Sequence, residues 1–320
     1  MRSEDEPIRG EIRVRGFRRV SHGLFLPENA ALNEDEEFLR DLAAWRLLLP
    51  EGGVFTHVTA GRLLGWQLPP LPSPAPVFAA VRGDERRPRR AGLVCSRLVE
   101  YDESGTRLFA RGLPVDTTEE ILLRAARDLS HLDLVILLDS ARRLGHLDRR
   151  RMSVVLSSRR PGTRALAAAY AVSDPRSESA GETLLRIFHR VMEVDVEPQV
   201  ALRDAGGQVI GRADLMVRGT RNVHEYDGAV HRSLQQHRSD LRRERALTQA
   251  AYVRRGYTLG DLVNHDAVVM HELDRALERR HRPGRLRRWR RMVELSTYSE
   301  SGRARLLNRW RRSMGVTDWS

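Results

Sequence analysis

The stretch HEYDGAVH, residues 224 to 231, sets Glu225 and Asp227 one residue apart between His224 and His231. In a strand, alternate side chains share a face, so both carboxylates point one way and His224 the other. All 55 Lys/Arg side chains of the chain are arginine. A catalytic Glu-x-Lys pair is therefore excluded, and Glu-x-Asp either replaces it or serves another purpose. Upstream, GRADLMV carries Arg212 and Asp214. A two-residue, Gly-first hairpin loop at Gly219-Thr220 sets Asp214 opposite Glu225 and Arg212 opposite Asp227, all on one face.

Carboxylates directly opposed across strands repel, and they coexist only with a proton, a cation or solvent between them. A divalent ion answers that need, because Mg²⁺ is commonly held by one or two carboxylates together with phosphate oxygens and waters. The alternative is an exposed sheet face whose acids repel weakly through water. His224, on the opposite face, reads as a packing or surface residue. His231 is either an acid–base group or an ion-pair partner of the acids.

The elements that must position these groups follow from periodicity and punctuation. FRRVSHGLFLP (17–27) reads as a strand ended by Pro27. Residues 35–50 read as a helix with Phe38, Leu39, Leu42 and Leu47 as its apolar stripe. Residues 56–66 form a short helix begun by Thr56 and ended near Gly65. The proline-rich 68–76 is extended. Strands are expected at 76–81, 92–98 and 107–115, the first two bracketing the basic turn RGDERRPRR. Helices follow from Thr117, with a capping-box start, to about Arg151, and again at 163–172.

The composition shifts at SDPRS (173–177). Beyond it lie a helix striped by Leu184, Leu185, Phe188 and Met192, then PQVALRD and QVIGRADLMV joined by the turn DAGGQ, and NVHEYDG as a third strand. Helix is expected again from about Leu234 to Arg254. The end of the chain is a basic helical stretch with a Ser/Gly interruption. Its Trp289 and Trp310 either stack on bases among the arginines or pack an amphipathic helix onto the domain surface.

Length and composition bound the function. The 320 residues suffice for two domains, and a 41% hydrophobic fraction argues for folded protein. No apolar run approaches the ~20 residues of a membrane span, and the polar opening lacks a signal peptide's apolar stretch. One cysteine, Cys95, supports neither a disulfide nor a zinc framework. The expected setting is the cytoplasm. A net charge of +12 favours a polyanionic partner, and arginine's planar fork suits phosphate.

The segment from about Ser177 to Leu262 resembles the PD-(D/E)XK nuclease superfamily in its very-short-patch-repair endonuclease-like branch. The residues that carry the resemblance are SESAGETLLR, GRADLMV, HEYDGAVH and RSDLRRERALTQAAYVRRGY. It implies a restriction-endonuclease-like core of helix, three-strand meander, helix and short strand. Asp214, Glu225 and the helical Glu182 become the metal-binding acids for Mg²⁺ or Mn²⁺, with Asp227 and His231 completing the catalytic set. Arg212, Arg238, Arg242 and Arg243 become DNA contacts; the strand register, rather than the resemblance, gives Arg212 the further expected role of steadying charge beside Asp227. The implied activity is metal-assisted phosphodiester hydrolysis. Relatives close the sheet with an apolar strand, whereas GYTLGDLVNHD (256–266) is interrupted by Gly260, so a short or remodelled last strand is expected.

FRRVSHGLFLP followed by VFTHVTAGRLLGW resembles the AbiEi-type antitoxins of type IV toxin–antitoxin systems, the first segment being similar to the wing of their winged helix. That implies DNA or a cognate toxin as partner, while a packing domain supporting the other half is the plainer alternative. The expected fold is α/β (α+β). Residues 1–172 form a mixed antitoxin-like domain, 173–282 the nuclease-like domain and 283–320 the basic helical tail. Two functions stand: a metal-dependent DNA endonuclease, or a non-enzymatic DNA-binding antitoxin or repressor on a degenerate nuclease fold.

Overall fold

The computed structural model describes residues 7–10, 16–98, 108–228 and 245–314. Among them the chain is a mixed α/β protein with three sheets. It divides into two compact units, one of Met1–Gly65, Leu71–Asp128 and Ala304–Ser320, the other of Trp66–Pro70 and Leu129–Arg303.

In the first unit β1 (Ile8–Arg9), β2 (Phe17–Ser21) and β3 (Leu24–Pro27) form a small sheet in the order β1-β3-β2. The single strand expected over 17–27 is thus a hairpin, with Gly23 at φ +64 in its turn. Helix α1 (Glu34–Arg46) begins in a capping box in which Asn33 and Glu36 bond each other's backbone N–H. It stops before Pro50, and Leu47, expected in the stripe, is exposed while Ala44 and Trp45 are buried. Next come β4 (Val54–Phe55) and α2 (His57–Leu63). Thr56 starts α2 but spends its hydroxyl on Asp116, at 3.1 Å.

A five-stranded sheet runs β6-β5-β4-β8-β7 through β5 (Val77–Val81), β6 (Leu93–Arg97), β7 (Leu108–Ala110) and β8 (Leu113–Val115). The strand expected over 107–115 is a hairpin because Arg111 and Gly112 both take positive φ. Helix α3 (Thr118–Ala125) follows. Thr117 makes no side-chain cap bond, so the expected capping box is not formed.

The second unit contains α4 (His131–Arg143), α5 (Arg149–Ser157), α6 (Thr163–Tyr170) and α7 (Ala180–Val191). A four-stranded sheet follows, from β9 (Val196–Arg203), β10 (Val209–Val217), β11 (Asn222–Tyr226) and β12 (Val253–Tyr257), in the order β12-β11-β10-β9. The first three strands form an antiparallel meander, and β12 runs parallel to β11. Helices α8 (Leu259–Val263), α9 (Asp266–Ala276) and α10 (Pro283–Leu295) complete it, and α11 (Glu300–Met314) belongs largely to the first unit.

Leu184, Leu185, Phe188 and Met192 of the α7 segment are all buried, each contributing about 1.5–3 kcal/mol. Trp289 packs edge-on to Phe188 at 5.1 Å between centroids and donates to the Leu262 carbonyl at 2.6 Å. Trp310 packs on Phe78 at 5.2 Å and donates to Asp128 at 3.2 Å. Both indoles are fully buried. Packing, not base stacking, is what these rings do.

The helix expected over 234–254 overran its end. Residues 229–244 lie outside the described residues, 245–249 are helical, and Val253 already belongs to β12. The helix closes where Ala251 turns left-handed, φ +57, with Tyr252 N–H donating to the Leu247 carbonyl at 2.9 Å. The last strand therefore lies at 253–257, earlier than the expected 256–266, and Gly260 falls in α8. Among the described residues no helix is long and apolar enough to cross a membrane.

Candidate functional site: the acidic end of the second-unit sheet

The β10–β11 register pairs Leu215 with His224 and Met216 with Val223. Continued by two-residue alternation, it sets Asp214 against Glu225 on one face. The turn differs from expectation: Thr220 N–H closes onto the Val217 carbonyl at 3.2 Å, with Gly219 at φ +73 as the third turn residue rather than the first of a two-residue loop. The ladder ends in a side-chain contact. Asp214 Oδ2 accepts from the Tyr226 N–H at 2.9 Å, which fixes that carboxylate beside the Glu225–Tyr226 backbone.

Glu225 is 5% exposed. A buried carboxylate needs a counter-charge, and β12 supplies it. Arg254 pairs in register with Val223. Its Nε lies 2.5 Å from Glu225 Oε2 and its Nη2 3.2 Å from Asp227 Oδ1. One guanidinium thus bridges both acids of the Glu-x-Asp pair. Sequence reading missed Arg254 because helical periodicity was carried past Ala251.

Arg212 donates to Glu178 at 2.7 Å, and Arg254 donates to Asp227 at 3.2 Å. His231, Arg238, Arg242 and Arg243 lie outside the described residues.

Two glycines make the room. A Cβ on Gly256 would sit 1.8 Å from Asp227 Oδ2, and a Cβ on Gly181 2.1 Å from the Tyr226 ring. Any side chain at either position displaces a residue of the acidic strand.

Glu182 sits in the first turn of α7 as a capping group. Its Oε1 accepts from the Ser179 hydroxyl at 3.0 Å, and its Oε2 from the Glu178 N–H at 2.8 Å and Gln199 Nε2 at 2.9 Å. Three donors thus hold this carboxylate at the helix N-terminus. Among the described residues no three His, Cys, Asp or Glu side chains group to hold a metal ion.

Gln199 is the residue that links this cap to the sheet. Its neighbours pair as Val200 with Ala213 and Pro198 with Leu215, so it stands opposite Asp214. Its φ of +56 is a conformation that non-glycine residues rarely hold, and its Oε1 is buried without a hydrogen-bond partner. An oxygen-only set of Asp214, Glu225 and Gln199 fits a hard divalent cation that keeps several waters. The orphaned Gln199 oxygen is the observation behind that fit.

On the other face, His224 is buried, as a packing residue should be. His189 Nδ1 lies 2.8 Å from the Leu185 carbonyl and its Nε2 2.7 Å from His224 Nδ1. A carbonyl only accepts, so His189 carries its proton on Nδ1 and accepts on Nε2 from His224 Nδ1–H. His224 Nε2 is left a buried lone pair with no partner. Burial pushes both imidazoles down, His189 to about 4 and His224 to about 2, with His189 and Arg255 adding like-charge repulsion at His224.

Comparison with protein-family models, with curated proteins and with solved structures found no match to this chain.

Proposed function

We propose that the second unit is a metal-dependent DNA endonuclease of the PD-(D/E)XK kind, in which an arginine from the neighbouring strand stands in for the missing lysine. The observation that carries this reading is Arg254 between Glu225 and Asp227, beside an Asp214 anchored to the same stretch of backbone. The order of α7, the β9–β11 meander and a last strand parallel to β11 supports the nuclease-like core.

Asp214, Glu225 and the Gln199 oxygen would hold Mg²⁺ or Mn²⁺, which when bound supplies Lewis acidity toward a phosphodiester and its attacking water. The chain's own residues do the rest. Arg254 holds Glu225 and Asp227 in place and offers guanidinium charge near a phosphate whose negative charge grows during displacement. Glu182 orients Gln199 through its amide. Tyr226, seated on Gly181, ties the acidic strand to the start of α7.

Incubation of duplex DNA with the full chain and Mg²⁺ or Mn²⁺ tests the proposal. Cleavage should vanish in Asp214→Ala and Glu225→Ala while DNA binding remains, and Arg254→Lys should retain more activity than Arg254→Ala. A wild type that binds duplex but never cuts with either metal would refute it.

That outcome would favour a second reading, a non-enzymatic DNA-binding antitoxin or repressor whose carboxylates are structural. The ion pair between the buried Glu225 and Arg254 favours it, since a carboxylate already neutralised by a guanidinium has less need of a metal.

A further inference from the structure

We infer that the loop between β5 and β6 in the first unit is a docking spine for the sugar-phosphate backbone of duplex DNA, apart from the acidic site. The loop, residues 82–92, reads RGDERRPRRAG. Its base is fastened. Glu85 accepts from the Gly52 N–H at 3.1 Å and the Arg82 N–H at 3.0 Å, Arg97 donates to the Arg82 carbonyl at 2.6 Å, and Arg90 donates to the His22 carbonyl. The tip differs. Arg86, Arg87 and Arg89 are exposed, and among the described residues they make no ion pair or side-chain hydrogen bond.

The spine separates two clefts. One, of about 980 Å³, is lined by Arg9, His22, residues 47–50 and residues 86–91 of the loop. The other, of about 390 Å³, is lined by residues 87–91 of the loop with Leu93, Cys95 and residues 312–314. Arg87, Arg89 and Arg90 line both, and among the described residues neither lining contains an aspartate or glutamate. An arginine-lined concavity without acids concentrates positive potential, and free guanidinium forks match phosphate oxygens bidentately.

The chemistry of the linings selects the ligand. Among the described residues neither cleft is lined by Phe, Tyr or Trp, the rings on which single strands stack, and the arginines favour a ligand held by its phosphates. What remains is backbone contact, which positions a duplex without reading its sequence. The site lies in the first unit and uses none of the residues of the proposed nuclease centre, so it stands or falls independently of cleavage.

The test is fluorescence anisotropy of a labelled 20-base-pair duplex with the full chain in EDTA, across a salt series. Each phosphate contact contributes about 0.9 to the slope of log K against log salt. The triple variant Arg86→Ala/Arg87→Ala/Arg89→Ala should lower that slope by about 2–3 and weaken binding at least tenfold at ~0.1 M salt. Arg87→Gln alone, at the wall common to both clefts, should lower it by about 1.

A control of equal charge loss, Arg149→Ala/Arg150→Ala/Arg164→Ala in the second unit, should leave the slope within one unit of wild type. Unchanged duplex binding in the loop variants would overturn the inference. So would an equal loss in the control, which would mean that net charge alone is responsible. A loop-dependent affinity for single strands or RNA, with none for duplex, would overturn the choice of ligand.

Discussion

Acidification should unfold the second unit through His189 and His224, and the size of the effect follows from their contacts. Both rings are neutral and buried, and protonating His224 Nε2 would create an N–H with no acceptor. Arg255 from β12 and Arg279 beyond α9 add positive charge toward the pair, and Tyr257 packs edge-on to both rings. A base whose folded pKa lies below its unfolded value makes the unfolded state bind more protons, so stability is lost as pH falls. With the unfolded value near 6.5 and folded values of about 4 and about 2, the window opens below about pH 6.5.

Between pH 6 and pH 5 each histidine costs about 1 kcal/mol, hence roughly 2 kcal/mol together. Urea unfolding of wild type and His189→Leu/His224→Leu at pH 7.5, 6 and 5, in EDTA, measures it. The double variant removes both partners of the hydrogen bond with little change of volume, so its stability at pH 7.5 should lie within about 2 kcal/mol of wild type. Its loss between pH 6 and 5 should be smaller by roughly 2 kcal/mol. Imidazole ¹⁵N shifts at pH 6 should report the Nδ1–H tautomer on both rings. Equal pH slopes in the two proteins, or either ring titrating above pH 5.5, would refute the reasoning.

Gly256→Ala should cost about 1–3 kcal/mol in chemical denaturation by driving Asp227 from its place, and Asp227→Ala added to it should recover most of that, a coupling above ~1 kcal/mol in a double-mutant cycle. Ala251→Gly should raise stability by about 0.5–1 kcal/mol, since glycine holds φ +57 without a Cβ clash; a loss would show that the left-handed residue does not cap the helix. Burial pushes the Cys95 thiol up to about 11 despite Arg87, Arg97 and Arg124, so at pH 8 iodoacetamide should alkylate it roughly a hundredfold more slowly than an open thiol. Labelling at the open-thiol rate would contradict that burial.

The meander and its acidic face were legible because two-residue alternation leaves a strong mark when one face is apolar. Leu215 and Val217 bury while Asp214 does not, and a short turn at Gly219 sets the register of Asp214 against Glu225 even though its geometry differs from the expected loop. The stripe of α7 was legible for the same reason at helical period.

What escaped was set by tertiary contacts. Arg254 and Arg255 sit in a strand with no apolar alternation, and only pairing with β11 makes that segment extended. The bonds that Glu182 accepts from Ser179, Glu178 and Gln199 depend on how α7 meets β9, which spacing cannot express. Gln199 carried no sequence signal, since its importance rests on a backbone angle. The hairpins at 17–27 and 108–115 were read as single strands because the residues at their turns, Gly23, Arg111 and Gly112, sit inside otherwise extended patterns.

The missing side chains at Gly181 and Gly256 have a consequence for anyone mapping this protein by saturation mutagenesis. Both positions should rank among the most intolerant in the second unit although neither bears an atom able to react with anything. A heat map of lost stability would thus outline the acidic strand partly by its silhouette. Telling a participant from a mere gap requires pairing each glycine change with a trimmed neighbour, Tyr226 for the first and Asp227 for the second.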